Sequence, residues 1–222
     1  MKIRGYPSRI AVRFHPATPA RQSHCGEGYS IGESMLILAE EVKIAATRER
    51  SSMHNPLIHL ICGSTGAGKT TYSRQLSQQL GAVRFSIDEW MTTLFWMDSP
   101  RPLEPAWSME RVERCLTQIW ATTSQVAVGG IPCVLDIGFT QAQSRARFIG
   151  LADQAGLSVQ LHFIDVSPTE RWRRVQKRND ERGGTYNLPF DVTREMFNFV
   201  ETLWEPPTEH EMTACNGVRI SS

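Results

Sequence analysis

The chain lacks the features that mark membrane, secreted and zinc-binding proteins. Its 222 residues contain no apolar run near the ~20 residues that a membrane-spanning helix needs. The five cysteines are odd in number and widely spaced, with no C-x-x-C pair and no histidine at a zinc-ligand spacing. The net charge of +1 disfavours nucleic acid or an anionic membrane as the main partner. These absences predict a soluble, cytoplasmic protein with reduced cysteines.

Acidic residues are absent from the first 26 residues, which contain five basic residues and three prolines. Prolines interrupt regular structure, and the apolar stretch of about 7 to 15 residues that a secretory signal needs is missing. An arginine-rich transit peptide is the alternative, although it requires an amphipathic helix. The ordered pattern begins abruptly at Met53. We therefore expect residues 1–52 to be a flexible extension, or a stretch upstream of the true start, and residues 53–222 to form the folded domain.

From residue 57 onward, short apolar runs alternate with helical patterns. The runs predict strands at 57–62, 83–87, 133–137 and 159–165, with a possible last strand at 218–220. Helices are predicted at 68–80, 141–155, 168–178 and 192–203, and a further helix follows the proline-rich break "DSPRPLEPAW". Alternating strands and helices are typical of an α/β fold, with a parallel sheet covered by helices.

A phosphate-binding motif directly follows the first predicted strand. The string "GSTGAGKT" matches G-x-x-x-x-G-K-[ST], the Walker A pattern of P-loop proteins. Its glycines allow consecutive backbone N–H groups to face phosphates, Lys69 reaches the β and γ oxygens, and the Thr70 hydroxyl binds Mg²⁺. The predicted nucleotide-binding residues are Gly63, Ser64, Thr65, Gly66, Ala67, Gly68, Lys69, Thr70 and Thr71.

Three other classes of P-loop protein fit the sequence poorly. GTPases usually carry an N-K-x-D element that reads guanine, and the nearest string here, "KRND", does not match it. Transporters and large ATPase motors need a longer chain. A small P-loop kinase fits the size best.

Several stretches resemble the zeta toxin and chloramphenicol phosphotransferase-like P-loop kinases, a group of AAA-type predicted kinases. They are "GSTGAGKTTYSRQLSQQLG", "FSIDEW", "VLDIGFTQAQSRARF", "LHFIDVSPTERWRRVQKRN" and "MFNFVETLWEPP". The resemblance implies a three-layer α/β/α fold whose five-stranded parallel sheet has the order 2-3-1-4-5. It also implies a helical insertion over residues 89–131 on the substrate side and a lid over residues 171–190.

Three aspartates end predicted strands, where open α/β sheets bind ligands. In the kinases that the chain resembles, an aspartate at the position of Asp88 takes the proton of the acceptor hydroxyl. Capping the following helix is the alternative role for Asp88. Asp136 follows "CVL", matches a Walker B acid and is the predicted second Mg²⁺ ligand. Asp165, which ends the fourth strand, is the alternative Walker B acid.

The stretch "ERWRRVQKRNDERGG" concentrates basic residues on one predicted helix. Arg171, Arg174 and Arg178 share a face at helical spacing. A charge run of this kind is often only a solvated surface. The resemblance instead implies lid arginines that stabilise the transition state, with Gly183 and Gly184 as a hinge. Arg178 is the first candidate and Arg174 the second.

Four of the six tryptophans lie between residues 89 and 120. An aromatic pocket would suit a small, partly apolar alcohol, and we assign Trp90 and Trp96 to it. Trp120 falls on an apolar helix stripe and is expected in the core. Arg145 either reaches the acceptor or a phosphate, or is an exposed helix arginine.

The sequence thus predicts an ATP- and Mg²⁺-dependent kinase that transfers the γ-phosphoryl group to a hydroxyl of a small molecule. One alternative is a nucleotide-dependent switch or binding ATPase that has no acceptor. The other is a polynucleotide 5′-hydroxyl kinase, which the balanced charge disfavours. The acceptor and the oligomeric state are not indicated by the sequence.

Overall fold

In the computed structural model, which describes residues 58–181 and 190–221, five parallel strands form one sheet. The strands are β1 (Ile58–Cys62), β2 (Val83–Ser86), β3 (Cys133–Asp136), β4 (Val159–Asp165) and β5 (Val218–Ser221). Their order is β2-β3-β1-β4-β5, and every neighbouring pair is parallel. The predicted order 2-3-1-4-5 is confirmed, including the last strand. The predictions for residues 1–52 and for Gly183 and Gly184 lie outside the described residues.

Seven α-helices lie within the described residues. They are α1 (Lys69–Leu80), α2 (Ile87–Phe95), α3 (Pro105–Val128), α4 (Ala142–Gln154), α5 (Pro168–Asp180), α6 (Arg194–Leu203) and α7 (Glu209–Ala214). The helical insertion predicted after the second strand consists of α2, a short 3₁₀ turn (Trp96–Asp98) and α3. Helix α7 was not predicted. Its signal is a capping box, in which Thr208 and Glu211 each bind the other's backbone N–H.

Apolar side chains cover both faces of the sheet. On one face, Ile58 and Leu60 belong to a core cluster with residues of α3, α4 and α7. On the other face, Ile61 and Val134 pack with residues of α1. A strand places successive side chains on opposite faces, and all five residues of β1 are buried. The central strand is therefore enclosed by helices on both sides, as the three-layer prediction requires.

The second strand ends one residue earlier than predicted. The Ser86 hydroxyl accepts a hydrogen bond from the Glu89 backbone N–H and caps α2, which begins at Ile87. Asp88 therefore lies in the first turn of α2, not at the end of a strand, and the helix is capped by Ser86. Because all strands are parallel, the P-loop, this helix start and the loop after β3 meet at one edge of the sheet.

Among the described residues, no helix combines the length and the apolar character needed to cross a membrane.

Candidate active site

The loop from Gly63 to Gly68 joins β1 to α1 and forms a backbone cradle. Gly66 has φ 80°, and a Cβ atom there would lie 2.5 Å from the Arg171 carbonyl oxygen, so only glycine fits. Gly68 has φ 101° and precedes α1 without a side-chain cap. The first N–H groups of α1 are therefore left for a ligand, and the helix dipole favours an anion there.

Lys69 reaches back across this loop. Its ammonium Nζ donates hydrogen bonds to the carbonyl oxygens of Gly63 at 2.9 Å and Ser64 at 3.2 Å. Burial lowers the pKa of Lys69, and the negative charges of Asp136 and Asp88 oppose that shift. The ammonium is thus held over the loop with two carboxylates near it.

A cavity of about 830 Å³ opens above the loop. This volume lies within the range of roughly 300–1,000 Å³ typical of small-molecule sites. The predicted site residues that line it are Thr65, Gly66, Ala67, Gly68, Lys69, Thr70, Thr71, Asp88, Asp136, Arg174 and Arg178. We call this cavity the cleft. Gly63 and Ser64 are buried at the start of the loop and do not line it.

Asp88 projects into the cleft from the first turn of α2. Neighbouring Glu89 accepts hydrogen bonds from Arg74 at 2.5 Å and Arg84 at 2.9 Å, which fix this turn to α1 and β2. Desolvation raises the pKa of Asp88, Lys69 opposes this effect most strongly, and the charge of Asp136 adds to it. A carboxyl with a raised pKa in a cleft is suited to accept a proton.

Asp136 is buried at the end of β3. Its Oδ2 accepts hydrogen bonds from the Ser73 hydroxyl at 3.0 Å and from Arg84 Nη2 at 2.9 Å. Asp165 is exposed at the end of β4 and is not among the residues lining the cleft. The geometry brings Asp136, and not Asp165, to the P-loop. The roles of Ser73 and Arg84 were not predicted, although β2 and β3 pair in register and carry Arg84 and Asp136.

The three arginines predicted on one face of α5 have different surroundings. Arg171 was grouped with the lid arginines, but it is buried and binds both carboxylate oxygens of Glu201, at 2.5 and 2.6 Å. It also donates to the Val166 carbonyl oxygen at 2.9 Å. Arg174 donates to the Glu170 carboxylate at 2.8 Å and to the Ala67 carbonyl oxygen of the P-loop at 3.2 Å.

Arg178 is the arginine of α5 that lies near Asp88. It lines the cleft, and burial lowers its pKa while the charge of Asp88 opposes that shift. Its Nη2 atom is buried and has no hydrogen-bond partner within the part of the chain that the structure describes. Adjacent Asn179 is fixed by two hydrogen bonds to the backbone of Val192, at 3.0 and 3.3 Å. Arg178 therefore lines the cleft and carries one buried donor that the described residues leave without a partner.

Glu201 on α6 connects the P-loop to α5, and sequence reasoning missed it. The Ser64 hydroxyl donates to the same carboxylate that Arg171 binds. The bond from Arg171 lowers the pKa of Glu201 more than any other interaction. No local pattern indicates this contact, because Ser64 and Glu201 are 137 residues apart. This contact holds the P-loop at Ser64, which does not line the cleft.

Both sequence interpretations of Arg145 are wrong. The side chain is fully buried, and its Nε and Nη2 bind the two carboxylate oxygens of Glu211 at 2.9 and 3.2 Å. Its Nη1 donates to the carbonyl oxygens of Glu205 at 2.7 Å and Phe139 at 3.3 Å. Arg145 therefore joins α4 to α7 and the loop before it, and does not reach the cleft.

The tryptophans of the insertion are distributed between a pocket and the core differently from the prediction. Trp96 lines a second cavity of about 180 Å³, as expected, and Trp107 lines it as well. Trp90 instead packs against the core, with its ring edge-to-face on Phe85 at 6.3 Å. Trp120 packs on Phe148 at 6.0 Å, which agrees with its predicted place in the core.

Several solved structures share this fold. A candidate kinase from Chloroflexus aurantiacus has a TM-score of 0.57 and 16% identity, covering 75% of this chain and 88% of its own. Chaetomium thermophilum Kti12, in complex with ADP–AlF₃, has a TM-score of 0.57 and 14% identity, covering 74% and 88%. An unliganded sugar kinase from Janibacter sp. has a TM-score of 0.52 and 15% identity, covering 75% and 86%. The fold is therefore that of P-loop kinases.

No curated protein matches the chain in sequence. A family model does match: AAA_33, described as an AAA domain, aligns with residues 58–203. That range begins with β1 and ends with α6, so it contains the P-loop and all of the predicted site residues that line the cleft. The chain belongs to the AAA_33 family of AAA-domain proteins.

Proposed function

We propose that this protein is an ATP-dependent kinase that transfers the γ-phosphoryl group to a hydroxyl of a small molecule. The observation that supports it best is the convergence of Lys69, Asp88, Asp136 and Arg178 on one cleft beside a P-loop. A binding ATPase needs the P-loop, but it does not need a carboxyl whose pKa is raised across the cleft from it. The alcohol acceptor would be deprotonated by that carboxyl.

Each residue would have one task in the transfer. The loop amides, the first turn of α1 and Lys69 would bind the ATP phosphates. Asp88 would accept the hydroxyl proton as the acceptor oxygen attacks the γ-phosphorus, and ADP would leave. Arg178 would donate its unpaired N–H to the transferred group and stabilise its charge in the transition state. Arg174 would act beside it at the phosphates.

The residues present also fit a magnesium ion. Carboxylate and hydroxyl oxygens are the protein ligands that Mg²⁺ prefers. Thr70 Oγ1 and Asp136 Oδ1 make no hydrogen bond with the residues that the structure describes, and both residues line the cleft. Thr70 and Asp136 would hold the ion, directly or through water, and the bound ion would neutralise phosphate charge. Ser73 and Arg84 would keep the Asp136 carboxylate in place.

The predicted lid is proposed here as well. Helix α5 carries Arg174 and Arg178, and the rest of the segment 171–190 is described only at Glu181 and Phe190. The zeta toxin and chloramphenicol phosphotransferase-like kinases share this set of parts, and we propose that the protein belongs to that group. A cytoplasmic location would fit a supply of ATP.

The test uses ATP with heavy oxygen in the γ-phosphate, Mg²⁺, the protein and a small-molecule extract of its host. Mass spectrometry then identifies labelled phospho-products. We expect a labelled product whose formation falls about 10²–10⁴-fold in Asp88→Asn, the usual contribution of a general base. The matched control is Asp98→Asn, since Asp98 is exposed on the 3₁₀ turn and does not line the cleft.

Two results would overturn the proposal. ATP binding without a labelled product from any fraction would indicate a nucleotide-dependent switch. Labelled 5′ ends of nucleic acid, formed in a steeply salt-dependent way, would indicate a polynucleotide kinase.

A further inference from the structure

The second cavity lies between α2, the 3₁₀ turn and α3. Six large apolar side chains form most of its wall: Met91, Phe95, Trp96, Leu103, Trp107 and Phe190. Four of these rings pack in pairs. Phe95 packs edge-to-face on Trp107 at 6.4 Å between ring centroids, and Trp96 stacks on Phe190 at 6.1 Å. We call this cavity the aromatic pocket.

The aromatic pocket meets the cleft at Asp88. Asp88 and Phe190 line both cavities. A molecule in the pocket would therefore present one end to the carboxyl that faces Lys69 across the cleft. This places the pocket on the acceptor side of the site, opposite the P-loop.

Charge is scarce in the lining of the pocket. Asp88 is the one charged residue that lines it within the described part of the chain, and the polar residues are Thr92, Ser99 and Ser108. Two arginines lie nearby without lining the pocket. Arg111 stacks on the Trp107 ring at 3.9 Å and donates to the Trp107 carbonyl oxygen, and Arg101 lies over the Trp96 ring at 5.8 Å. An anionic acceptor would lose its hydration here without gaining a cation in the wall.

The size of the pocket limits the group that it accepts. Its volume of about 180 Å³ is below the roughly 300–1,000 Å³ of sites for drug-sized ligands. A dry apolar cavity of about 150 Å³ is enough to bind benzene. The aromatic pocket therefore suits a single ring or an aliphatic group of similar size.

We infer that the acceptor is an uncharged alcohol whose ring-sized apolar part occupies the aromatic pocket while its hydroxyl meets Asp88. This inference rests on the proposed kinase function and adds the chemical class of the acceptor. The pocket excludes acceptors that carry a phosphate, sulfate or carboxylate on the part that enters it.

The test compares two probes of the same shape. The first is para-methylbenzyl alcohol, and the second is para-hydroxymethylbenzoate, in which a carboxylate replaces the methyl group. Binding to the full chain is measured by calorimetry with Mg²⁺ and a non-hydrolysable ATP analogue present. We expect the neutral probe to bind at least about tenfold more tightly, because the carboxylate must be desolvated in the pocket. Trp107→Ala should weaken the neutral probe about tenfold and leave nucleotide affinity unchanged.

A variant that adds a positive charge to the pocket keeps the test decisive if Trp107→Ala does not fold. Leu103 lines the pocket and is 47% exposed, so Leu103→Lys can fold and would add a cation to the wall. It should shift the preference about tenfold toward the carboxylate probe. Met109→Lys is the matched control, because Met109 is 72% exposed on α3 and does not line the pocket. It should leave the preference unchanged.

The outcomes separate the two proposals. If the probes behave as expected but no acceptor receives the γ-phosphate, the preference of the pocket for an uncharged ring holds and the kinase function fails. If the labelled products are anionic compounds, and Leu103→Lys changes neither them nor the probe preference, the kinase function holds and the pocket inference is overturned. Equal binding of both probes to the unmodified protein would also overturn it.

Discussion

Arg171 and Arg178 lie two turns apart on α5, and their surroundings are opposite. Arg171 is buried and its guanidinium binds the Glu201 carboxylate and the carbonyl oxygen of Val166. Arg178 is half-buried, and its Nη2 has no partner in the part of the chain that the structure describes. Two arginines that share one helical face in the sequence therefore differ in whether the fold itself satisfies their charge.

This difference separates structure from function. A buried donor without a partner costs about 1–3 kcal/mol, so a protein keeps one where a ligand completes its hydrogen bonds. Arg171 gains its partners on folding and holds the P-loop against α6. Arg178 would gain its partner only when a phosphoryl group enters the cleft. Substitutions at the two positions should therefore change different properties.

The largest expected effect is on stability, at Arg171. Arg171→Met leaves the half-buried Glu201 carboxylate without its main partner, and removing one member of a largely buried ion pair costs up to about 3–5 kcal/mol. Urea unfolding measures this loss. The double variant with Glu201→Met should regain part of it, because no unpaired charge is left. A double variant that is as unstable as the sum of the two single variants would contradict the coupling.

The next effect is on activity, at Arg178. Arg178→Ala should lower kcat about 10²–10³-fold, near 2.7–4 kcal/mol, as expected for the loss of one transition-state donor. Its free energy of unfolding should stay equal to that of the unsubstituted protein or rise. Arg178→Lys keeps the charge and should recover part of the activity. A kcat that is unchanged in Arg178→Ala would show that the unpaired nitrogen has no catalytic use.

A third effect concerns a buried polar group that the fold satisfies but keeps neutral. His162 Nε2 is 3.0 Å from His59 Nδ1, and its Nδ1 is 2.8 Å from the Tyr72 hydroxyl. Burial, and then the charge of His59, lower the pKa of His162 to about 4. The unfolded chain binds this proton near pH 6.5, so stability should fall as pH drops from 6.5 toward 4, by up to about 3 kcal/mol.

His162→Gln should flatten this pH dependence. Urea unfolding at steps between pH 7 and pH 4 measures it. A slope that is as steep in His162→Gln as in the unsubstituted protein would assign the acid loss to other groups.

The smallest effect is a difference in how two carboxyl groups respond to pH: Asp88, which lies near Arg178, and Glu201, which binds Arg171. The pKa of Asp88 is raised by desolvation, whereas that of Glu201 is lowered by Arg171. Activity should therefore fall about tenfold per pH unit on an acid limb that lies above the ordinary aspartate pKa of about 3.9. The stabilisation from Glu201 is present above its unfolded pKa and is lost only as pH falls through its lower folded value.

Ionisation of Asp88 affects stability in the opposite direction to ionisation of Glu201. Its raised pKa means that the unfolded chain releases this proton first, so ionisation of Asp88 reduces stability as pH rises. Asp88→Asn should lose about 10²–10⁴-fold in activity and be at least as stable as the unsubstituted protein at neutral pH. A profile of kcat/KM against pH, with circular dichroism at each point, measures both properties. An acid limb that coincides with unfolding would contradict the assignment.

The sequence predicted the sheet, the P-loop and most helices because these depend on local patterns. A buried strand followed by glycines and a helix start is readable over about 20 residues. The partners of Arg145 and Arg171 were not predictable, since they lie 66 and 30 residues away on other helices. The same holds for Trp107, whose place in the aromatic pocket depends on how α3 packs on α2. The predicted boundary between β2 and α2 was wrong because a serine that caps a helix and a serine within a strand look alike in sequence.

The central claim is that Arg178, unlike Arg171, completes its hydrogen bonds on the transferred phosphoryl group. The most direct test measures the affinity of Arg178→Ala and of the unsubstituted protein for Mg²⁺–ADP with and without aluminium fluoride, which mimics the phosphoryl group in transit. The account predicts that Arg178→Ala weakens the aluminium fluoride complex about tenfold or more while ADP alone binds normally. Equal affinity of the two proteins for the aluminium fluoride complex would contradict it.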